Sequence, residues 1–112
     1  MLFRSLLPPL GYVDFIALVR SASLVITDSG GVQEETTFLG VPCLTVRSTT
    51  ERPITVEVGT NQVVGTSPDA LLAAVDEILE GKRRRGHIPD LWDGRAGERA
   101  ADVLAAFGSL RP

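Results

Sequence analysis

The sequence predicts an α/β fold with a mainly parallel sheet, and three observations carry that prediction. Short apolar, β-branched runs recur along the chain. Segments of helical periodicity separate them. At the centre, Leu24 to Leu39 reads as strand, glycine turn and helix without a gap. Strands that alternate with helices pair in parallel, because the helix carries the chain back to the start of the next strand.

Taken in order, Leu2 to Leu7 reads as a short strand ended by Pro8-Pro9. Tyr12 to Ala22 places Phe15, Ile16 and Val19 on one helical face, which predicts a helix. Leu24-Val25-Ile26-Thr27 is a buried strand, broken by Asp28-Ser29-Gly30-Gly31. Val32 to Leu39 is a helix that stops at Gly40, with Pro42 beyond it. Cys43 to Val46 is the next apolar strand. Thr49-Thr50-Glu51-Arg52-Pro53 is a polar loop, and Pro53 is placed to open a short helix reaching Val58. Gln62-Val63-Val64 is a further strand. Ser67-Pro68-Asp69 is a helix start, with an N-cap, a proline at N1 and an acid in the first turn. That helix spaces Leu71, Leu72, Val75, Ile78 and Leu79 on one face and stops at Gly81. His87 to Trp92 is a loop. Ala96 to Phe107 is a last amphipathic helix, with Ala101, Val103, Leu104 and Phe107 as its apolar residues.

Composition narrows the function classes. The chain has 112 residues, enough for one small domain, and is 44% hydrophobic and 22% charged, so it is globular rather than disordered. A net charge of −3 gives no broad basic surface and argues against nucleic acid as a partner. The one basic run, Lys82-Arg83-Arg84-Arg85, fits a solvated helix end or loop. Cys43 is the only cysteine, so no internal disulfide and no cysteine-rich metal site forms, and its apolar neighbours mark it as core. Pro8-Pro9 interrupts the apolar N-terminal stretch. Neither a signal peptide nor a membrane span is read, and a cytoplasmic protein is expected.

The strand–turn–helix unit has the make-up of an anion site. The first turn of a helix offers free N–H groups and the positive end of the dipole. Gly30 and Gly31 let a ligand approach the backbone, and Ser29 either caps the helix or turns its hydroxyl to a phosphate oxygen. Glu35 lies more than one turn further on, where it would repel a bare phosphate but accept both hydroxyls of a ribose diol. An ordinary capped turn with a solvated Glu35 is the competing reading. In a parallel sheet ligands bind beyond the carboxyl ends of the strands. Ser48 to Arg52 leaves the next strand at that same edge, so Arg52 either meets the phosphate or pairs with Glu51 or another carboxylate.

These residues, in this arrangement, resemble the C-terminal half of the non-hydrolysing UDP-N-acetylglucosamine 2-epimerases. The likeness rests on Thr27-Asp28-Ser29-Gly30-Gly31-Val32-Gln33-Glu34-Glu35, Gly40-Val41-Pro42 and Thr49-Thr50-Glu51-Arg52-Pro53. Pro9-Leu10-Gly11-Tyr12 with Phe15, and Asp93-Gly94-Arg95-Ala96, extend it over nearly the whole chain. The resemblance implies a partial Rossmann-like domain of the glycosyltransferase-B type. It also implies a cytoplasmic isomerase that interconverts UDP-GlcNAc and UDP-ManNAc without a cofactor or metal, as a precursor of cell-envelope polysaccharide. By resemblance, Ser29, Gly30 and Gly31 hold the diphosphate, Glu35 the ribose hydroxyls and Arg52 assists the phosphates. The segment around Leu10 and Phe15 lines the uracil.

The family's reaction eliminates UDP and adds it back with the C2 proton on the other face. It therefore needs a base at C2 and stabilisation of the departing UDP. The residues here match only the second task, and His87 lies too late to stand for the family's functional histidine. In the doubly wound order, Leu2 to Leu7 would be strand 3 and Leu24 to Thr27 strand 4, with strands 1 and 2 outside this sequence. A homodimer, or a partner supplying the N-terminal half, is the expected assembly, with no membrane and no nucleic acid. Two other readings are a glycosyltransferase of the same architecture and a non-catalytic UDP-binding module. The Thr-Thr-Glu-Arg-Pro loop speaks for the epimerase.

Overall fold

A computed structural model of the chain describes residues 4–82 and 85–108. Three parallel strands, β1 (Val25–Thr27), β2 (Cys43–Thr45) and β3 (Asn61–Val63), stand in the order β1-β2-β3. Val25, Cys43 and Asn61 lie in one row, and Thr27, Thr45 and Val63 in another. β2 is central and its three residues are fully buried, as a strand covered on both faces must be. The helices are α1 (Tyr12–Ser21), α2 (Gly30–Leu39), α3 (Pro53–Glu57), α4 (Pro68–Leu79) and α5 (Ala96–Gly108).

Each boundary has a local cause. α2 ends because Gly40 takes a left-handed φ of 73°, letting the Val41 N–H reach back to Thr36 O at 2.9 Å. α4 starts where Ser67 Oγ accepts the Ala70 N–H, with Pro68 in the first turn. It closes with Gly81 at φ 85° and the Lys82 N–H on Glu77 O. The apolar core is small: Val19, Val41, Cys43, Leu44 and Ala74. Burial pushes the Cys43 thiol pKa up, against the pull of its hydrogen bonds to Thr36 and Thr45.

One predicted element fails. The described part of the expected first strand, Arg4 to Leu7, forms no strand and is exposed throughout, Leu6 completely so at 101%. The physical reason is the want of a neighbour: a strand's backbone groups need a partner, and none of the described residues pairs with this segment. Leu2 and Phe3 of that strand, and Arg83 and Arg84 of the basic run, lie outside the described residues. Among the described residues no helix is long and apolar enough to cross a membrane.

Candidate functional site

β1 delivers the chain to the N-terminus of α2. The Ser29 N–H donates to Thr27 Oγ1 at 3.0 Å, which turns the chain out of the strand. Ser29 takes the N-cap position in an extended conformation, yet its hydroxyl makes no capping hydrogen bond. No acid occupies the first turn of α2. The positive end of this helix is therefore neither capped nor neutralised from its own sequence. Space is open at Gly31, where an added Cβ would meet nothing within 4 Å. At Gly30 the same atom would come within 2.6 Å of Glu51 Oε1 and 3.8 Å of Arg52 Cγ.

That second distance places Arg52. Its stem passes against Gly30, and its Nε donates to Glu34 Oε1. The hydrogen bond to Glu34, and then its charge, raise the Arg52 pKa further. Glu51, its neighbour in sequence, instead binds Arg47 through both oxygens at 3.1 and 2.8 Å. Arg52 thus stands beside the start of α2 and pairs with a carboxylate of that helix, the alternative to a phosphate that its sequence context left open.

A buried polar cage holds the loop that carries Arg52. Thr50 Oγ1 donates to Gln33 Oε1 at 2.5 Å and accepts the Arg52 N–H at 3.0 Å. Thr55 Oγ1 donates to Arg52 O at 2.7 Å. Asn61 Nδ2 donates to both Gln33 Oε1 and Thr55 Oγ1, and Asn61 Oδ1 accepts from Thr45 Oγ1. Gln33 and Asn61 are both fully buried, at 0% exposure. Sequence reasoning passed over them. The available signal was a polar residue beside an apolar strand for Asn61 and, for Gln33, its place in the Thr27 to Glu35 stretch.

Glu35 lies elsewhere on α2. With Tyr12, Ile16, Glu34, Phe38 and Trp92 it lines a cavity of about 400 Å³ between α1, α2 and the loop before α5. Leu10 does not line it. Phe15 faces a second groove, beside β1, with Leu18, Ile26, Thr27 and Val32. The α1 residues that share the cavity with Glu35 are Tyr12 and Ile16, one helical turn apart. Phe15 and Val19 form the adjacent stripe, and Val19 is buried. Glu35 stands five residues after Gly30, a rise of about 7.5 Å along the axis. That separation is within the span of one ligand of nucleotide size. Among the described residues no cluster of three or more His, Cys, Asp or Glu side chains could hold a metal ion.

Comparison with known proteins adds an independent result. The family model described as UDP-N-acetylglucosamine 2-epimerase matches residues 4–105. The chain is 48% identical over 99 residues to the UDP-N-acetylglucosamine 2-epimerase of Methanocaldococcus jannaschii, covering 88% of this chain and 26% of that protein. It is 39% identical over 104 residues to the enzyme of that name from Escherichia coli K12, covering 88% and 27%. The M. jannaschii structure in complex with UDP-GlcNAc and UDP superposes with a TM-score of 0.77 at 45% identity, over 89% of this chain and 27% of that one. An S. aureus MnaA–UDP co-structure gives 0.81 at 33% identity, over 95% and 30%. The chain therefore spans a little over a quarter of the length of these curated relatives. Its sheet and helices are part of a Rossmann-like domain of the glycosyltransferase-B type.

Proposed function

The chain belongs to the UDP-N-acetylglucosamine 2-epimerase family, and from that premise we propose that it supplies the UDP-binding part of an isomerase interconverting UDP-GlcNAc and UDP-ManNAc. The observation that carries the proposal is the uncapped N-terminus of α2, open at Gly31 and flanked by the Arg52 stem at Gly30. The diphosphate sits at Ser29, Gly30 and Gly31, where backbone N–H groups and the helix dipole meet it. Arg52 adds a charged fork, exchanging Glu34 for phosphate oxygens. Glu35 accepts the two ribose hydroxyls. The uracil lies against the start of α1 on the face of Tyr12, which shares the cavity of Glu35, rather than on the Phe15 face, which lines the other groove.

In the family's reaction UDP leaves the sugar and returns, and this chain's share is to stabilise the negative charge on the departing diphosphate. The carboxylates that move the C2 proton are not matched by any residue here. Such groups contribute about 10²–10⁴-fold each, so the 112-residue chain alone is expected to form no measurable UDP-ManNAc. Formation of that product would refute this division of labour. A cytoplasmic location and a place in the supply of envelope polysaccharide precursors belong to the same proposal. The second reading is a UDP-binding module that acts only with a partner chain, and turnover measured on the same sample as UDP binding separates the two.

Calorimetry with UDP tests the site. Wild type is expected to prefer UDP over inorganic phosphate and over deoxy-UDP. Glu35→Ala is expected to cost roughly 1.5–3 kcal/mol of UDP binding, the range for hydrogen bonds to a charged group. Equal affinity of wild type and variant for UDP would remove Glu35 from the site.

A further inference from the structure

The cage beneath the anion site has an internal logic that the binding residues alone do not explain. Gln33 is buried at 0% exposure, and its Nε2 has no hydrogen-bond partner. A buried, unpaired donor is costly. What the same side chain provides is an acceptor, Oε1, shared by Thr50 Oγ1 and Asn61 Nδ2. From there two hydroxyls lead to a single residue. Thr50 Oγ1 receives the Arg52 N–H, and Thr55 Oγ1, itself held by Asn61, donates to the Arg52 carbonyl at 2.7 Å. The Thr55 N–H reaches the same carbonyl at 3.0 Å. Each of these hydroxyl protons is used once, so the donor directions are mutually consistent.

Arg52 is the N-cap of α3, with φ −123° and ψ 60°, outside the regular helical and strand regions. Both its peptide groups are clamped by this cage, while its own side chain is half exposed. The backbone is fixed from below, while the guanidinium is held only by half-exposed contacts, to the Glu34 carboxylate and to the Glu51 carbonyl at 3.4 Å, which an incoming anion can replace. We infer that Gln33, Thr50, Thr55 and Asn61 are positioning residues. They set the backbone of Arg52, so that its guanidinium stands at the N-terminus of α2 before any ligand arrives. The inference deepens the proposed function, on which its ligand rests. Preorganisation of this kind reduces the ordering cost of binding. It also explains why polar side chains occupy the middle of this small core, where apolar ones would pack without an unpaired donor.

The test uses four forms of the chain: Thr50→Val, Thr50→Ser, Arg52→Ala and the Thr50→Val/Arg52→Ala pair. Thr50→Val keeps the shape and deletes the hydroxyl; Thr50→Ser keeps the hydroxyl. Two readouts are taken: UDP affinity by calorimetry, and the Arg52 Nε–H signal in ¹⁵N NMR of the ligand-free chain. Thr50→Val is expected to weaken UDP binding about tenfold and to shift the Arg52 Nε–H signal. Thr50→Ser is expected to restore both. In the Arg52→Ala background, Thr50→Val is expected to cost no further affinity. A structural role alone would lower the melting temperature yet leave the Arg52 signal in place, and its effect on affinity would add to that of Arg52→Ala; either result overturns the inference. Should wild type fail to bind UDP, the proposed function falls, while the NMR signal still decides whether the cage places Arg52. Thr55→Val repeats the comparison from the carbonyl side if Thr50→Val does not fold.

Discussion

Gly30 and Gly31 stand side by side at one helix end and are constrained by different things. A methyl at Gly30 pushes Glu51 aside and breaks its ion pair with Arg47. The two side chains of that pair are 40% and 45% exposed, so its loss costs at most about 1 kcal/mol. Removing a helical glycine returns up to about 1 kcal/mol. The two effects offset, and Gly30→Ala is expected to leave stability within about 0.5 kcal/mol of wild type. At Gly31 nothing opposes the methyl, so Gly31→Ala is expected to be neutral or stabilising while obstructing the approach of a phosphate. Urea unfolding and UDP calorimetry on the same two variants check both statements. A Gly31→Ala chain that loses stability, or binds UDP as well as wild type, contradicts them. Asp93 offers a pH test. Hydrogen bonds from Arg99, and then the Arg95 N–H, hold its carboxyl down to about 2 from 3.8. The folded pKa is the lower one, so the stabilisation is complete above the ordinary value and is lost as pH falls through about 2. In ¹³C NMR titrations, Arg99→Ala is expected to move the Asp93 midpoint back up toward 3.8, and an unmoved midpoint would show that Arg99 is not the main cause.

At the scale of elements, one close join in the fold is between two glycines. An added Cβ at Gly86 would run into the backbone of Gly59 and come within 2.8 Å of the Thr60 N. The His87 N–H donates to Val58 O at 2.9 Å beside it. These contacts tie the segment after α4 to the turn between α3 and β3. Backbone cannot swing away as a side chain can, so Gly86→Ala is expected to cost roughly 1–3 kcal/mol. Gly97→Ala, in open space on α5, is expected to cost nothing. A Gly86→Ala chain as stable as wild type in urea would show that the join is soft. This contact was invisible in the sequence, because nothing local distinguishes a glycine needed for packing from one in a loop. Elements with local causes were legible: the Ser67-Pro68-Asp69 start of α4, the Gly40 stop of α2, and the strands at 25–27, 43–45 and 61–63, within a residue or so. In the candidate site, the glycine-rich start of α2 at Ser29 to Gly31 was legible as a helix end. The site was not legible where the answer depends on helical phase, which puts Tyr12 rather than Phe15 with Glu35. Nor was it legible where long-range pairing decides, as when Arg52 takes Glu34 and leaves Glu51 to Arg47.

The whole molecule shows more surface than its mass warrants. Its accessible area is 8350 Å², against about 6,000 Å² for a folded monomer of this size. Its radius of gyration is 17.8 Å, against about 13 Å for a compact chain of this length. Part of the excess of about 2,300 Å² is the segment from Arg4 to Leu10, which is exposed throughout. Two places contribute to the apolar part of the excess. α5 has no buried residue, and Val103, Leu104 and Phe107 are each exposed along one face. Among the described residues β1 is paired on one side only, and its residues include no proline or charge to protect the other. The Val25 N–H is taken by Pro42 O and the Thr27 carbonyl by the Val46 N–H. The alternation of a parallel ladder therefore turns the Ile26 N–H to the open edge, where its side chain is 47% exposed beside an apolar groove of about 300 Å³. We expect this chain to associate through that edge, with a second copy or with a partner carrying the rest of the fold. Light scattering at micromolar concentration should show species larger than a monomer, and amide exchange should show Ile26 protected in them. Ile26→Lys places a charge on the edge strand and should shift the population toward monomer without lowering UDP affinity, since Ile26 takes no part in the anion site. A monodisperse wild-type monomer with a freely exchanging Ile26 amide would mean that this sheet tolerates an open edge, and that the excess surface is not an interface.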